Sequence, residues 1–275
     1  MKGEILKSFL TDEYDLDGWF YDVDMLSLAI LDTFQNQYNI KGGICELGVY
    51  KGKSLTFFSH FIRDNEKLYG YDTFPEDYYE CTQEALKKYG LEVDIELIKV
   101  DSCKLSTQEI RRTMNNKGVR ILHIDAGHEY HEVLHSLLTF SPIVYDSGII
   151  VMDDYQDLEF PGIEAAVLDF CEIDRPRRFI PFFSGRNKMF LCSRHLASRY
   201  QLAMLTDKNL KNSSRLTIVR DFKILKGFSK LPTKYDKLLQ QINEFDLKNS
   251  DHFKNDINQL KEKAEKYAQD LYGGG

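Results

Sequence analysis

Acidic residues stand at the ends of four β-rich segments of the sequence. Asp72 and Asp101 end two of these segments, and Asp125 ends a third. The fourth ends in the pair Asp153-Asp154. Because open α/β sheets bind ligands at the carboxyl ends of their strands, these carboxylates are expected to share one edge.

Three of these acids are predicted to hold a divalent metal. Asp125, Asp153 and Asp154 would converge if their strands are neighbours, and crowded carboxylates repel one another unless a cation neutralises them. An all-oxygen ligand set suits Mg²⁺, Mn²⁺ or Ca²⁺. The alternative is that Asp153 and Asp154 only cap the following helix.

A glycine-containing turn follows the first β-rich segment, in the run Glu46-Leu-Gly48-Val-Tyr50-Lys-Gly52-Lys-Ser54. Glycine lets the backbone approach a ligand, and the N-terminus of the next helix offers N–H groups. The spacing is G-x-x-x-G and not G-x-G-x-x-G, which disfavours a dinucleotide pyrophosphate site. The run predicts a cofactor-binding turn, with an ordinary strand-to-helix turn as the alternative.

Two further polar positions have the chemistry to bind a nucleoside. The carboxylate of Asp72, followed by Thr73, can accept hydrogen bonds from both hydroxyls of a ribose. Asp101 and Ser102 are candidates for contact with an adenine edge. Each acid taken alone is also a candidate helix cap.

His128 is the candidate general base, three residues after Asp125. A histidine of ordinary pKa, about 6.5, is largely neutral at pH 7 and can accept a proton. The alternative is a structural histidine that bonds to the backbone.

From residue 43 onward, short β-rich segments alternate with longer amphipathic ones, which is typical of a parallel sheet covered by helices on both faces. The turn at residues 184–187 predicts that the last strand is antiparallel. The sequence thus predicts a sheet of seven strands. They are Ile44–Val49, Lys67–Phe74, Ile95–Ser102, Val119–Ala126, Gly148–Asp154, Arg178–Phe183 and Lys188–Cys192.

The chain is predicted to have three parts. Residues 1–42 form a helical cover with a helix at Met25–Tyr38, residues 43–195 form the α/β domain, and residues 196–275 form a basic helical appendage. The appendage is expected to contain helices at Leu196–Asn209, Tyr235–Phe245 and His252–Tyr272.

Composition limits the classes of protein that the chain can belong to. Its 275 residues are 43% hydrophobic, which predicts a globular core, and the net charge of −7 disfavours a protein that coats nucleic acid. Five cysteines without a C-x-x-C pair indicate a reducing compartment. The start of the sequence does not resemble a signal peptide, and no apolar run reaches membrane-spanning length, so a cytoplasmic protein is expected.

The charge is unevenly distributed. Residues 196–275 carry 15 Lys and Arg against 10 Asp and Glu, although the whole chain is acidic. The basic stretch from 207 to 237 is interpreted either as a wall that attracts an anionic acceptor or as a surface that packs on a second copy of the chain. No aromatic residues interleave the basic ones in the manner of RNA-binding segments, so nucleic acid is the less favoured partner.

Residues 25–195 resemble the class I S-adenosylmethionine-dependent methyltransferases. Within that class they resemble the metal-dependent sugar O-methyltransferases related to macrocin O-methyltransferase and the cephalosporin-hydroxylase-like group. The resemblance rests on E-L-G-V-Y-K-G-K-S, Asp72, H-I-D-A-G-H-E-Y, S-G-I-I-V-M-D-D-Y and the run from 160 to 170. It implies a Rossmann-like α/β fold, S-adenosylmethionine as cofactor, and a Mg²⁺, Mn²⁺ or Ca²⁺ ion at Asp125, Asp153 and Asp154.

The resemblance also implies roles for individual residues. Asp125 would act on the acceptor. Relatives carry D-A-D with the second Asp as the base, but this sequence has Gly127 at that place, so the following His128 is the base candidate on its own chemistry. The implied cofactor residues are Glu46, Gly48, Tyr50, Gly52, Ser54, Asp72, Thr73, Asp101, Ser102 and Asp125.

The expected activity is methylation of a hydroxyl on a sugar, which belongs to a nucleotide sugar, a glycan or a glycosylated natural product. A small diol or catechol-like acceptor is the alternative within the same chemistry, because it offers the same chelating pair of oxygens. A nicotinamide-dependent oxidoreductase and a non-catalytic binding protein are more remote alternatives, since fold alone does not decide function.

Overall fold

The computed structural model describes residues 7–9, 11, 13–173, 178–207, 210–211 and 214–227. The principal helices and strands in these ranges are α1 (Asp22–Gln37), β1 (Gly43–Leu47), α2 (Lys53–Ser59), β2 (Leu68–Asp72), α3 (Tyr78–Tyr89), β3 (Ile95–Lys99), α4 (Thr107–Thr113), β4 (Val119–Ile124), α5 (Tyr130–Phe140), β5 (Val144–Met152), α6 (Pro161–Ile173), β6 (Phe179–Ser184), β7 (Met189–Ser193), α7 (Ala197–Met204), β8 (Arg215–Val219) and β9 (Phe222–Lys226).

The strands form one sheet in the order β3-β2-β1-β4-β5-β7-β6-β9-β8. The first five positions are parallel, β7 is antiparallel to both β5 and β6, and β9 is parallel to β6. The order reverses between β1 and β4, which places their carboxyl ends at the crevice where open α/β sheets bind ligands.

The central strands are buried on both faces because helices cover each side of the sheet. Ile44 and Ile121 belong to one buried cluster, which includes residues of α1 and α2. The next residues along the strands, Cys45 and Leu122, belong to the opposite cluster with residues of α5 and α6. This alternation is the two-residue period of a strand whose side chains are apolar on both sides.

The prediction of seven strands is wrong, because the structure describes nine. Residues 215–226 belong to the appendage that was expected to be helical, although no helix was predicted at these positions. They form the antiparallel hairpin β8–β9, and Phe183 of β6 pairs with Leu225 of β9. Phe222, Ile224 and Leu225 are buried, so burial of their side chains offsets the cost of ordering this basic segment.

The helical part of the appendage is shorter than expected. The helix predicted at Leu196–Asn209 is observed as α7, which ends at Met204. The helices predicted at Tyr235–Phe245 and His252–Tyr272 lie outside the described residues. The division of the chain at residues 42 and 195 stays a prediction.

Buried ion pairs attach α1 to the sheet. Arg120 of β4 is fully buried, with its guanidinium 2.9 Å from Asp32 of α1 and 3.1 Å from Glu66. Arg63 lies 2.7 Å from the same Asp32 carboxylate. A buried charge is tolerated only when it is paired, so these contacts fix the place where α1 crosses the sheet.

Among the described residues, no helix combines the length and hydropathy that a membrane span requires.

Candidate functional site

A cavity of about 600 Å³ opens at the carboxyl ends of β1, β2, β4 and β5. Six of the predicted cofactor residues line it, and so do His128 and both other predicted metal ligands, Asp153 and Asp154. The six are Gly48, Tyr50, Ser54, Asp72, Thr73 and Asp125. Parts of the chain that lie far apart in sequence thus meet in one space.

The turn between β1 and α2 requires glycine at position 48. Gly48 has φ +80°, and a Cβ atom there would lie 1.9 Å from the backbone oxygen of Asp125. The Asp72 carboxylate accepts hydrogen bonds from the backbone N–H groups of Val49 at 2.7 Å and Tyr50 at 2.9 Å. Asp72 therefore fixes the shape of the turn as well as lining the cavity.

Four predicted cofactor residues are outside the cavity lining. Gly52, with φ +88°, packs against Thr82 and precedes the first turn of α2. Glu46 is buried and pairs with His123 Nδ1 at 2.8 Å, because the two residues are direct partners in the β1–β4 register. Asp101 and Ser102 occupy an exposed turn after β3.

The Asp101 carboxylate has local partners in that turn. It accepts a hydrogen bond from the backbone N–H of Cys103 at 3.0 Å and lies 3.2 Å from the Lys104 ammonium. These contacts, the backbone hydrogen bond first, lower the pKa of Asp101. In this structure Asp101 acts as a cap.

Asp125, His128 and Asp154 bring potential metal-ligand atoms to within 4.8 Å of one another. His128 Nε2 lies 3.2 Å from a carboxylate oxygen of Asp154, and the imidazole stacks on Phe160 with 4.1 Å between ring centroids. Two carboxylates and one imidazole fit a divalent cation, and the nitrogen extends the choice toward Mn²⁺ and other first-row transition metals. The donor set therefore fits a metal, with His128 nearer to the other two groups than the sequence indicated.

The turn before His128 favours glycine at position 127. Gly127 has φ +70°, and a Cβ atom there would lie 2.8 Å from the Cβ of Glu132. A side chain at this position is therefore excluded by the backbone conformation and by Glu132. His128 is the residue of the turn that reaches the cavity.

Asp153 has a different environment from the other two acids. It is buried against the ammonium of Lys188, its other oxygen accepts the backbone N–H of Asp154 at 2.8 Å, and His123 Nε2 lies 3.7 Å away. The role of Lys188 could not be predicted from the sequence, because its contact with Asp153 depends on the antiparallel pairing of Met152 with Met189.

Burial and neighbouring charges separate the pKa values of these acids. Burial raises the pKa of Asp125 well above its ordinary value, and the Asp153 charge raises it further. Burial, followed by the Asp153 charge, also raises the pKa of Asp154. Burial acts in the same direction on Asp153, but Lys188 and His123 outweigh it and lower its pKa. Asp153 is thus the fixed anion, and a metal would hold Asp125 and Asp154 ionised.

A segment before α1 closes one side of the cavity. Asp17, Gly18, Trp19 and Tyr21 line it, although the sequence carried no motif in this segment. Its contacts run to the β1–α2 turn: Lys51 pairs with Asp17 at 2.7 Å, and the Lys53 ammonium donates to the Gly18 carbonyl at 3.0 Å. The Trp19 side chain is 78% exposed at this wall.

Residues 45–155 match a family model described as a methyltransferase domain. The matched range includes the end of β1, all of β2 to β5 and every predicted cofactor, catalytic and metal-binding residue. The predicted resemblance to methyltransferases is therefore confirmed for this range. A search of curated proteins finds no match to the chain.

One solved structure shows the same fold, and two others are similar at lower TM-scores. A protein from Klebsiella pneumoniae that is assigned as an O-methyltransferase has 12% identity and a TM-score of 0.50, over 69% of this chain and 89% of that chain. The TDP-rhamnose 3'-O-methyltransferase of calicheamicin biosynthesis has 16% identity and a TM-score of 0.48, over 70% and 92% of the two chains. The mycinamycin methyltransferase MycE, solved with Mg, SAH and mycinamycin VI, has 18% identity and a TM-score of 0.47, over 70% and 54%.

Proposed function

We propose that this chain, which carries a methyltransferase domain over residues 45–155, transfers a methyl group from S-adenosylmethionine to a hydroxyl group of a sugar. The observation that carries the proposal is one cavity that joins the Gly48 turn to the group of Asp125, His128 and Asp154. The sugar as acceptor rests on the resemblance of the sequence motifs. A small non-sugar diol is the alternative acceptor.

The residues of the turn fit the proposed cofactor. Gly48 brings backbone against the cavity, and Asp72 and Thr73 place carboxylate and hydroxyl oxygens beside it. Below the turn, Oε2 of Glu46 is buried and has no hydrogen-bond partner among the described residues. Glu46 therefore remains a candidate partner for a polar group of the cofactor.

Asp125 and Asp154 would hold the metal, and the bound ion would lower the pKa of an acceptor hydroxyl. His128 would accept the hydroxyl proton at Nε2, with its ring held by the Phe160 stack. Because Nε2 also lies near Asp154, direct ligation of the metal by His128 is a second candidate role. Cavity walls that orient acceptor and cofactor toward each other supply the rest of the rate.

His128→Gln separates the two roles of that residue. If His128 is the base, methyl transfer falls at least about a hundredfold while the dissociation constant for Mn²⁺ changes less than threefold. A tenfold or larger loss of Mn²⁺ affinity in this variant would instead assign His128 as a ligand.

The charge of the cavity favours a neutral acceptor over a phosphate-bearing one. Seven acids line it, against Lys53 and the titratable His128. The described residues of the basic stretch do not line the cavity, and Arg220 among them pairs with Asp169 and Glu172 at 3.0 Å. The acids are Asp17, Asp72, Asp125, Asp153, Asp154, Asp157 and Glu159.

The predicted location stays part of the proposal. All five cysteines are free thiols in the structure, which fits a reducing compartment such as the cytoplasm. A second copy of the chain as partner also stays a prediction.

The test is methyl transfer from radiolabelled S-adenosylmethionine to a panel of sugars, glycosides and catechols, with and without EDTA. We expect transfer to a diol that EDTA abolishes and Mn²⁺ or Mg²⁺ restores. Asp154→Asn should lose this activity, whereas Asp64→Asn, at an exposed site, should keep it. Transfer that survives EDTA would refute the metal role alone, and a thermal shift with NAD but not with S-adenosylmethionine would refute the methyltransferase activity.

A further inference from the structure

Lys188 is a buried cation beneath the acidic side of the cavity. It stands directly before β7, its side chain is 1% exposed, and its ammonium contacts the Asp153 carboxylate. The ammonium also lies over the ring of Phe20, 5.2 Å from the centroid. A lysine is fully buried only when its charge is compensated, so this position is built around the charge.

The five charged groups around Lys188 come from α1, β1, β4 and β5 or directly follow these elements. Asp24 of α1 is buried with the Gly185-Arg186 turn beside it, and Asp125 follows β4. Asp153 follows β5 and has His123 of β4 at 3.7 Å, and His123 in turn pairs with Glu46 of β1. The list of surrounding charges is thus Asp24, Asp125, Asp153, His123 and Glu46.

We propose that Lys188 is a positioning residue that holds Asp153 out of the metal site, so that Asp125 and Asp154 are the carboxylate ligands. The inference rests on the metal site of the proposed function. It assigns Asp153, which the sequence motif places with the ligands, to the support of the site.

The contacts of Asp153 carry this assignment. One carboxylate oxygen of Asp153 faces the Lys188 ammonium, and the other accepts the backbone N–H of Asp154. Each oxygen of Asp153 thus already has a donor, which would compete with a metal for that oxygen. The potential ligand atoms that lie close together belong to Asp125, Asp154 and His128, and Asp153 is not in this group although its carboxylate contacts that of Asp125.

Lys188 also limits the negative charge that a metal meets. With Asp153 neutralised by the ammonium, two carboxylates remain to attract the ion. Removal of the ammonium alone would release Asp153 toward the site and strengthen metal binding. Removal of the ammonium and the carboxylate together would leave the two ligands as they are, since a buried pair can be replaced by neutral groups without loss of fold.

The experiment measures Mn²⁺ binding to the full chain by the loss of the free Mn²⁺ EPR signal at pH 8. We expect Lys188→Met to bind Mn²⁺ at least tenfold more tightly than the unmodified chain. The double variant K188M/D153N should return to within threefold of the unmodified chain, and Asp154→Asn should bind at least thirtyfold more weakly. Lys99→Met is the matched control, because the Lys99 ammonium donates to a backbone carbonyl outside the cavity.

A tenfold or larger loss of Mn²⁺ affinity in K188M/D153N would overturn the proposal, because Asp153 would then be a ligand. Equal affinities for Lys188→Met and the unmodified chain would also overturn it. If Lys188→Met alone fails to fold, the double variant decides. Absence of Mn²⁺ binding to the unmodified chain would refute the inference about Lys188. It would not refute the methyltransferase activity, because methyl transfer that persists in EDTA would still show that activity.

Discussion

At the scale of single residues, identical side chains in this cavity differ because their neighbours differ. Asp72 accepts hydrogen bonds from backbone N–H groups, and Asp153 contacts a lysine. Asp125 and Asp154 have raised pKa values, which a cation would offset. Their positions at the ends of β-rich segments identified all four as candidates, but only their contacts assign a different role to each.

Gly48→Ala is expected to weaken cofactor binding strongly. The positive φ costs an alanine about 1 kcal/mol, and its Cβ would collide with the Asp125 backbone, which displaces the turn at the metal side of the cavity. We expect the affinity for S-adenosylhomocysteine, measured by calorimetry, to fall more than tenfold. Gly52→Ala is the comparison, since its Cβ would meet Thr82 at 3.0 Å, outside the cavity lining, and its effect should be smaller. An unchanged affinity in Gly48→Ala would contradict this account.

Asp24→Asn is expected to remove part of the pH dependence of stability. Burial, opposed by Lys188 and reinforced by Asp153, raises the pKa of Asp24 to about 7. The folded state therefore keeps a proton that the unfolded state, with a pKa of about 3.8, releases, so stability falls as pH rises from about 4 to 7. The full loss amounts to about 4 kcal/mol above pH 7.

Urea unfolding in EDTA at pH 4.5 and pH 8 measures this effect. Asp24→Asn stays neutral, so it should exceed the unmodified chain in stability by a few kcal/mol at pH 8 and by little at pH 4.5. Asp64→Asn is the control at an exposed position. Parallel pH profiles for Asp24→Asn and the unmodified chain would show that Asp24 is ionised in the folded state.

At the scale of elements, the sequence predicted the parallel strands β1 to β5 but not the hairpin β8–β9 at the end of the sheet. β1 to β5 are apolar runs with acids at their ends, and this pattern is recognisable even where the predicted ends of a strand differ from the observed ones. β8 and β9 were missed because each is only five residues long and the two lie in a segment rich in lysine and arginine. In the turn between them, Arg220 has the positive φ of a tight hairpin, and arginine is not a residue typical of that conformation.

Prediction of the site residues from the sequence was limited in the same way. The acids at the strand ends were predicted because their place depends on local order along the chain. Glu46 faces His123, and Lys188 meets Asp153, through the registers of β1 with β4 and of β5 with β7. Registers between strands distant in sequence are set by packing of the whole sheet, so these partners could not be derived from spacing. The wall at Asp17–Tyr21 depends likewise on where α1 is anchored.

Leu225→Ala tests whether the β8–β9 hairpin is part of the folded core. Leu225 is 4% exposed and pairs with β6, so its truncation should lower the free energy of unfolding by about 2–4 kcal/mol. Leu216→Ala, on the same hairpin but 50% exposed, should change it by less than about 0.5 kcal/mol. Urea denaturation gives both values. Similar small losses in the two variants would mean that the hairpin is an appendage and not part of the sheet.

At the scale of the whole molecule, the net charge of −7 combines two separate distributions. Acids gather at the cavity, at the carboxyl ends of β1, β2, β4 and β5. Described cations of the basic stretch lie on and beside β8 and β9, the last two strands in the order of the sheet. A metal and the sulfonium of the cofactor would offset part of the acidic charge. The acids Asp157 and Glu159 would still face an incoming acceptor with their charges.

This distribution predicts that the acceptor carries no phosphate. A neutral glycoside should have a kcat/KM at least tenfold higher than the same sugar linked to a nucleoside diphosphate, because the negative cavity repels the diphosphate. The double variant D157N/E159Q should narrow this ratio, and raising the salt concentration should narrow it as well, since salt screens charges near the surface. The matched control D64N/E92Q removes two exposed acids elsewhere and should leave the ratio unchanged. A higher kcat/KM for the nucleotide-linked sugar would contradict the prediction that the acceptor carries no phosphate.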